Sequence, residues 1–306
     1  MKFHFQQALR ALVLLLFCLL IFKLHYTGEI TKFINPKYVN LSQIASVIFL
    51  ILFFIQTTRI WSVNKDVHDH CGEDSCSHDH GNTIFTFKKL VSYSIIIFPI
   101  ATGFVLPPKT LGADIVGKKG GMAVITNQQQ VNQDSEQVEI DLDEIEIQDD
   151  YLDHSFDDSA ILNENIISKE EYNVLIQKLE QSQTVEMDEQ VFFDYYEEMH
   201  KNIDKYKGRT IKLKGFVYKE EGFSSDQLVI SRFAITHCIA DASIVGYLSE
   251  FSEASSLDQD SWIEAEGTIE MTTYQGMELP MLKITNWSTI EEPDEPYIYP
   301  LNIKII

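Results

Sequence analysis

RTIKLKGFVYKE, residues 209–220, sets apolar Ile211 and Leu213 between the cations Lys212 and Lys214. That is the period of two of a β-strand with one face on a core. Gly215 stands in the middle of the pattern. Three later stretches read the same way: DQLVISRFAI (226–235), SWIEAEGTIEMT (261–272, with Gly267 inside it) and LPMLKITNWSTI (279–290). ADASIVGYLSEF (240–251), between the second and third, reads as a short helix. Glycines inside strands permit the sharp coiling that closes a small barrel. Four or five strands with a helix ahead of the last pair predict an OB-like small β-barrel. Such barrels host many functions, so the fold alone names no ligand.

Upstream, the period changes to that of helices. Ser168 and Glu171 stand in capping-box spacing before Tyr172, Leu175, Ile176 and Leu179 on one stripe. A second helix, about 188–205, places Phe192, Tyr195, Tyr196, Met199 and Ile203 on one side. Both stripes read as core contacts. Further back, NQQQVNQDSEQVEIDLDEIEIQDD (127–150) has the composition of a solvated linker, and KTLGADIVGKKGGMA (109–123) reads as a surface loop.

The first third of the chain is of another kind. ALVLLLFCLLIF (11–22) lies between Arg10 and Lys23, and with both cations snorkelling a helix of about 8–27 spans a bilayer. A signal peptide is the rival reading, but no small-x-small cleavage site follows. LSQIASVIFLILFFIQTTRI (41–60) is uncharged up to Arg59, and LVSYSIIIFPIATGFVLPP (90–108) carries no charge. The expected organisation is therefore three transmembrane helices (about 8–27, 41–60 and 90–107) within residues 1–108, an acidic linker over 109–165, and an α+β domain with an OB-like barrel over 166–306. Three spans put the two ends on opposite sides. With the N-terminus inside, Lys2, Arg10, Arg59, Lys65, Lys88 and Lys89 are cytoplasmic, against Lys32, Lys37, Lys109, Lys118 and Lys119 outside. That small bias places residues 61–89 in the cytoplasm and the C-terminal domain outside.

Charge sets the two parts further apart. Residues 1–108 carry a net +3 and residues 109–306 a net −25, which together give the chain's −22. Phosphates and anionic lipid surfaces would be repelled by the second part, so neither nucleic acid nor an anionic membrane face is its ligand.

Two constellations carry chemistry. HDHCGEDSCSHDHG (68–81) packs His68, His70, Cys71, Cys76, His78 and His80 into one loop, a donor set suited to Zn(II) and, less well, to Cu(I). Cys71 and Cys76 with one histidine from each arm make a Cys2His2 set, and the surplus of ligands points to a fluxional sensor or delivery site. The bland alternative is a solvated loop that happens to contain histidines. In RFAITHCIADAS (232–243), His237, Cys238 and Asp241 form a second possible ligand site. Adjacent strand residues point to opposite faces, so the competing reading is a Cys238 buried in the barrel wall with His237 in solvent.

LHYTGEITKFINPKY (24–38), LPPKTLGADIVGKKG (106–120), RFAITHCIADAS and EEPDEPYIY (291–299) together resemble the YcgQ-like family of bacterial membrane proteins. The resemblance implies a subunit acting with a multi-span permease, no established enzymatic activity, a membrane-anchored N-terminal part and a C-terminal domain outside the cytoplasm. It also implies Cys-Cys before the Ala-Asp motif, where this chain has His237-Cys238. That departure removes any role needing two thiols and leaves metal ligation open. The expected function is a non-enzymatic accessory subunit of a membrane permease complex with a cytoplasmic zinc-binding loop. The alternatives are a membrane metal sensor or metal-delivery protein acting without a permease, and an exported thiol enzyme using His237 and Cys238.

Overall fold

The computed structural model describes residues 2–62, 87–122 and 166–304. The chain divides into two compact units, Met1–Lys109 and Thr110–Ile306, the first built of apolar helices and the second rich in β-structure.

In the first unit a two-residue strand β1 (Lys2–Phe3) leads into helix α1 (Phe5–Tyr26). The chain leaves α1 at Gly28, whose φ of 75° is the left-handed conformation that stops a helix at low cost. Asn35 then accepts a hydrogen bond from Lys37 N–H, and Pro36 starts the turn that feeds α2 (Val39–Thr58). Beyond α2, β2 (Trp61–Ser62) pairs antiparallel with β1, Phe3 opposite Trp61, so the two helices are joined at both ends. A seam of paired side chains runs between α1 and α2: Cys18 Sγ and Ser46 Oγ are 3.6 Å apart, His25 Nε2 and Ser42 Oγ 3.1 Å, and the Phe17 and Phe49 rings stack at 5.7 Å.

Helix α3 (Phe87–Val105) contains Pro99 and meets α1 through Lys23 Nζ, which donates to Gly103 O at 3.2 Å. Among the described residues two segments, Phe5–Tyr26 and Pro36–Thr58, are long and apolar enough to cross a membrane. The third expected span is a helix, whose apolar part among the described residues is Val91–Val105. Lys88 and Lys89 stand before it, and Pro107 and Pro108 stop the helix beyond it.

The second unit starts where a surface loop was expected. Leu111–Met122 instead forms a strap containing helix α4 (Ala113–Lys118), with Ala113, Val116 and Met122 buried. After the strap, β3 (Ile166–Ser168) ends at the Ser168–Glu171 capping box that opens α5 (Lys169–Gln181). Strand β4 (Thr184–Met187) and helix α6 (Phe192–Lys201) follow. The stripe expected on α6 is the buried one: Phe192, Tyr195, Tyr196 and Met199, with Ile203 beyond the helix end.

Five long strands come next: β5 (Thr210–Tyr218), β6 (Gln227–Ala234), β7 (Ser243–Glu250), β8 (Trp262–Tyr274) and β9 (Met277–Ile290). Strand β5 pairs antiparallel with β6 and β8, β6 with β7, and β8 with β9, while β7 runs parallel to β9 across Leu248–Glu250 and Met281–Lys283. Each of the five therefore pairs with two others of the set, and the sequence of pairings returns to its start. β4 adds to β5, the short β10 (Tyr297–Ile298) adds to β6, and β11 (Asn302–Lys304) pairs with β3, all in parallel. The mid-strand glycines sit where backbones approach closely. A Cβ on Gly215 would lie 2.7 Å from Ser231 O, and one on Gly267 2.7 Å from Lys283 O.

Strand β7 corrects a sequence expectation, because SIVGYLSE was read as part of a helix. Its two faces pack on different cores. Val245 and Tyr247 join the cluster under α6, whereas Ile244 and Leu248 join a second cluster with Val116, Met122 and Phe233. A strand covered on both faces loses the alternation that marks a half-buried strand.

Candidate functional site

Loop 235–242, between β6 and β7, carries the His237-Cys238 pair. Asp241 folds it. One carboxylate oxygen, Oδ2, accepts from the His237 backbone N–H at 2.9 Å and lies 3.0 Å from its ring Nδ1; Oδ1 accepts from Cys238 N–H at 3.3 Å. Partial burial opposes ionisation, yet these hydrogen bonds hold the Asp241 carboxyl below its usual range. The carboxylate thus fixes the orientation of the ring, with Nδ1 turned inward and most of the imidazole in solvent.

Cys238 has φ −151° and ψ 170°, an extended residue that leads into the turn Ile239–Asp241. Among the described residues, no three His, Cys, Asp or Glu side chains converge to hold a metal ion. Of the three residues, the fold brings the His237 ring and the Asp241 carboxylate together, and the half-buried Cys238 meets that carboxylate through its backbone N–H. The pair can accept or donate a proton or present one imidazole ligand, with the carboxylate as its orienting partner. His68, His70, Cys71, Cys76, His78 and His80 lie outside the described residues.

A residue the sequence reading passed over organises this end of the unit. Arg232, five residues before His237, is 1% exposed. Its Nε donates to Pro296 O at 3.1 Å, one terminal nitrogen donates to Glu295 O at 2.8 Å, and the other lies 3.7 Å from Glu189 Oε1. Its guanidinium also stands over the Trp262 ring at 5.1 Å. Burial pulls its pKa down to about 10, and the Glu189 charge works against that loss. A lone arginine inside an otherwise apolar strand run was the signal in the sequence.

Arg232 ties RFAITHCIADAS to EEPDEPYIY. Tyr297, at the end of EEPDEPYIY, accepts Leu111 N–H at 2.9 Å, while Asp260 accepts Ala113 N–H at 2.5 Å. Lys119 Nζ donates to Ala242 O. Three of the sequence motifs are therefore one structure: the strap, the Asp241 loop and the 295–299 segment share a core.

A separate open groove of about 560 Å³ runs between the end of β7 and the second half of β9. Asp226, Glu250 and Glu253 line it with Lys283 and the tilted Phe251–Trp287 pair, 5.7 Å apart. Its excess of carboxylates disfavours anions.

Residues 9–122 match the DUF1980 N-terminal domain and residues 162–300 the DUF1980 C-terminal domain. The first match ends at Met122, the last described residue of the strap. No solved structure matches the chain. A Streptococcus mutans protein carrying the provisional name of a two-component membrane permease complex subunit is 24% identical, over 90% of this chain and 93% of that relative. UPF0703 protein YcgQ of Bacillus subtilis is 31% identical, over 95% of this chain and 98% of its own length. With both halves matched and that likeness running end to end, the chain belongs to the DUF1980 family, the family of YcgQ.

Proposed function

We propose that this protein is a non-enzymatic accessory subunit of a membrane permease complex. The observation that carries the reading is its near full-length likeness to a relative named for that role, in a chain with two helices long and apolar enough to cross a membrane. Neither named relative is described as an enzyme. In this reading α3 is a third span, supported by the hydrogen bond from Lys23 to its Gly103 carbonyl. Residues 61–89 then face the cytoplasm, and the β-rich unit lies outside. In this reading the β-rich unit is an OB-type barrel, which the five-strand ring with its one parallel pair between β7 and β9 supports. Loop 68–81 holds zinc through Cys71 and Cys76 with one histidine from each side, a proposal resting on its donor density.

Purification of the full chain in mild detergent, with mass spectrometry of proteins and metals, tests both parts. A multi-span protein recovered in fixed ratio with the chain is the expected result; its absence overturns the permease reading. Zinc affinity should fall at least about 100-fold when Cys71 and Cys76 are both replaced by serine. Equal affinity without the thiols would reduce the loop to a histidine tract.

A further inference from the structure

Helix α2 has two faces of different chemistry. The face toward α1 carries Ser42, Ser46, Phe49 and Gln56, which meet His25, Cys18, Phe17 and Gln7. The other carries Leu41, Ile44, Ile48, Ile51 and Ile55, each half or more exposed. Their spacing alternates three and four residues, the 3.5-residue period of a knobs-into-holes seam. At about 100° per residue this stripe lies on the side of α2 roughly opposite α1. The stripe contains every isoleucine of α2. Phe53, Phe54, Leu50, Leu52 and Val47 fall elsewhere on the helix.

Lipid tails do not distinguish isoleucine from leucine or phenylalanine, so a face covered by lipid gives no reason for that segregation. A facing helix does. Isoleucine is nearly fixed at χ1 in a helix and loses little freedom on docking. Association inside a membrane depends on such packing, since burial from lipid supplies no hydrophobic gain. A second copy of this chain is a poor occupant. Two copies in the same orientation would bring together two C-terminal parts of net charge −25.

We infer that the Leu41–Ile55 stripe of α2 is the docking seam for an aliphatic transmembrane helix of a second, non-identical protein, crossing at the shallow left-handed angle of about 20° that such seams adopt. The inference rests on the permease-subunit reading and names the surface through which that subunit would hold its partner.

A benzophenone photocrosslinker placed singly at Ile48, Ile51 and Leu50 of the full chain, illuminated in native membranes, tests it. The expected result is one adduct from positions 48 and 51, absent from position 50, containing the same multi-span protein that co-purifies with the unmodified chain. Replacing Ile44, Ile48, Ile51 and Ile55 together by alanine should lower recovery of that protein at least about tenfold. The matched replacement of Val47, Leu50, Leu52 and Phe54 should leave recovery within about twofold. An adduct of twice the chain's own mass would make the seam homotypic and overturn the inference. If the partner co-purifies but crosslinks at position 50, or at none of the three, the seam is wrong while the permease reading stands. If no multi-span protein co-purifies, both fall.

Discussion

Helix α2 and strand β7 are both apolar, and they treat their side chains in opposite ways. None of the residues of α2 is buried within the chain, whereas all but the two end residues of β7 are. The difference lies in what surrounds each element. An apolar side chain in α2 has an apolar solvent available outside the protein, so burial is optional. One in β7 has only the protein's own core. Similar residues thus contribute folding energy in the second unit and a surface in the first.

The largest expected effect comes from removing one of the two covers of β7. Without 110–122, Phe233, Ile244 and Tyr297 lose their lid, and the burial of Val116 and Met122, at about 1.5–3 kcal/mol each, is lost with it. A fragment of residues 110–306 is expected to melt cooperatively and one of 166–306 to lack a cooperative transition. Identical melts would show that the strap is not part of the fold. Next in size is Arg232→Ala in the 110–306 fragment. It leaves three backbone carbonyls and Glu189 without their cation and should cost about 3–5 kcal/mol by denaturant titration. Arg232→Met, which removes the charge but keeps much of the volume, should cost less than half of that.

Two buried groups on α6 sharpen the contrast through pH. Burial lowers the His200 pKa to about 4, so between that value and its ordinary 6.5 the unfolded chain binds more protons and stability falls as pH drops. Burial raises Asp194 to about 6, against its hydrogen bond from Leu301 N–H, so the folded chain holds that proton and stability falls as pH rises from 3.8 toward 6. The two slopes oppose each other from about pH 4 to 6. His200→Phe should leave a fragment that gains on the order of 2 kcal/mol as pH falls across that window, and Asp194→Asn one that loses a similar amount. Flat profiles in both variants would remove the argument.

The smallest effect is expected in the membrane helix. Leu248→Ala in β7 should cost about 2–5 kcal/mol, while Leu50→Ala in α2 of the full chain in detergent should stay within about 0.5 kcal/mol. A comparable loss at Leu50 would mean that α2 is packed inside the protein.

The same contrast explains what the sequence made legible. The Ser168 capping box and the α6 stripe were readable because each has one dry face, and polar residues mark the other. Strand β7 was not, since with both faces covered its polar residues Ser243, Ser249 and Glu250 fall at its ends and mark no alternation. The strap looked like a loop because lysines and glycines surround its few anchors, Ala113, Val116 and Met122, and their burial depends on strands more than a hundred residues later. His237, Cys238 and Asp241 were readable as neighbours, but that the Asp241 carboxylate holds the His237 ring is set by the fold of the loop. The role of Arg232 was not, because its partners are backbone carbonyls, which have no sequence signature. The apolar runs announced helices, and Phe5–Tyr26 and Pro36–Thr58 are long and apolar enough to cross a membrane.

The strap also changes what a break in the chain would mean. Residues 122 and 166 are anchored in the same folded unit, so the interval between them begins and ends on one body. A protease cutting there would nick the protein and not sever it: the helical piece would stay attached through Met122 N–H on Glu220, Lys119 on Ala242 and the shared core. Two halves made separately could reassemble at the strap.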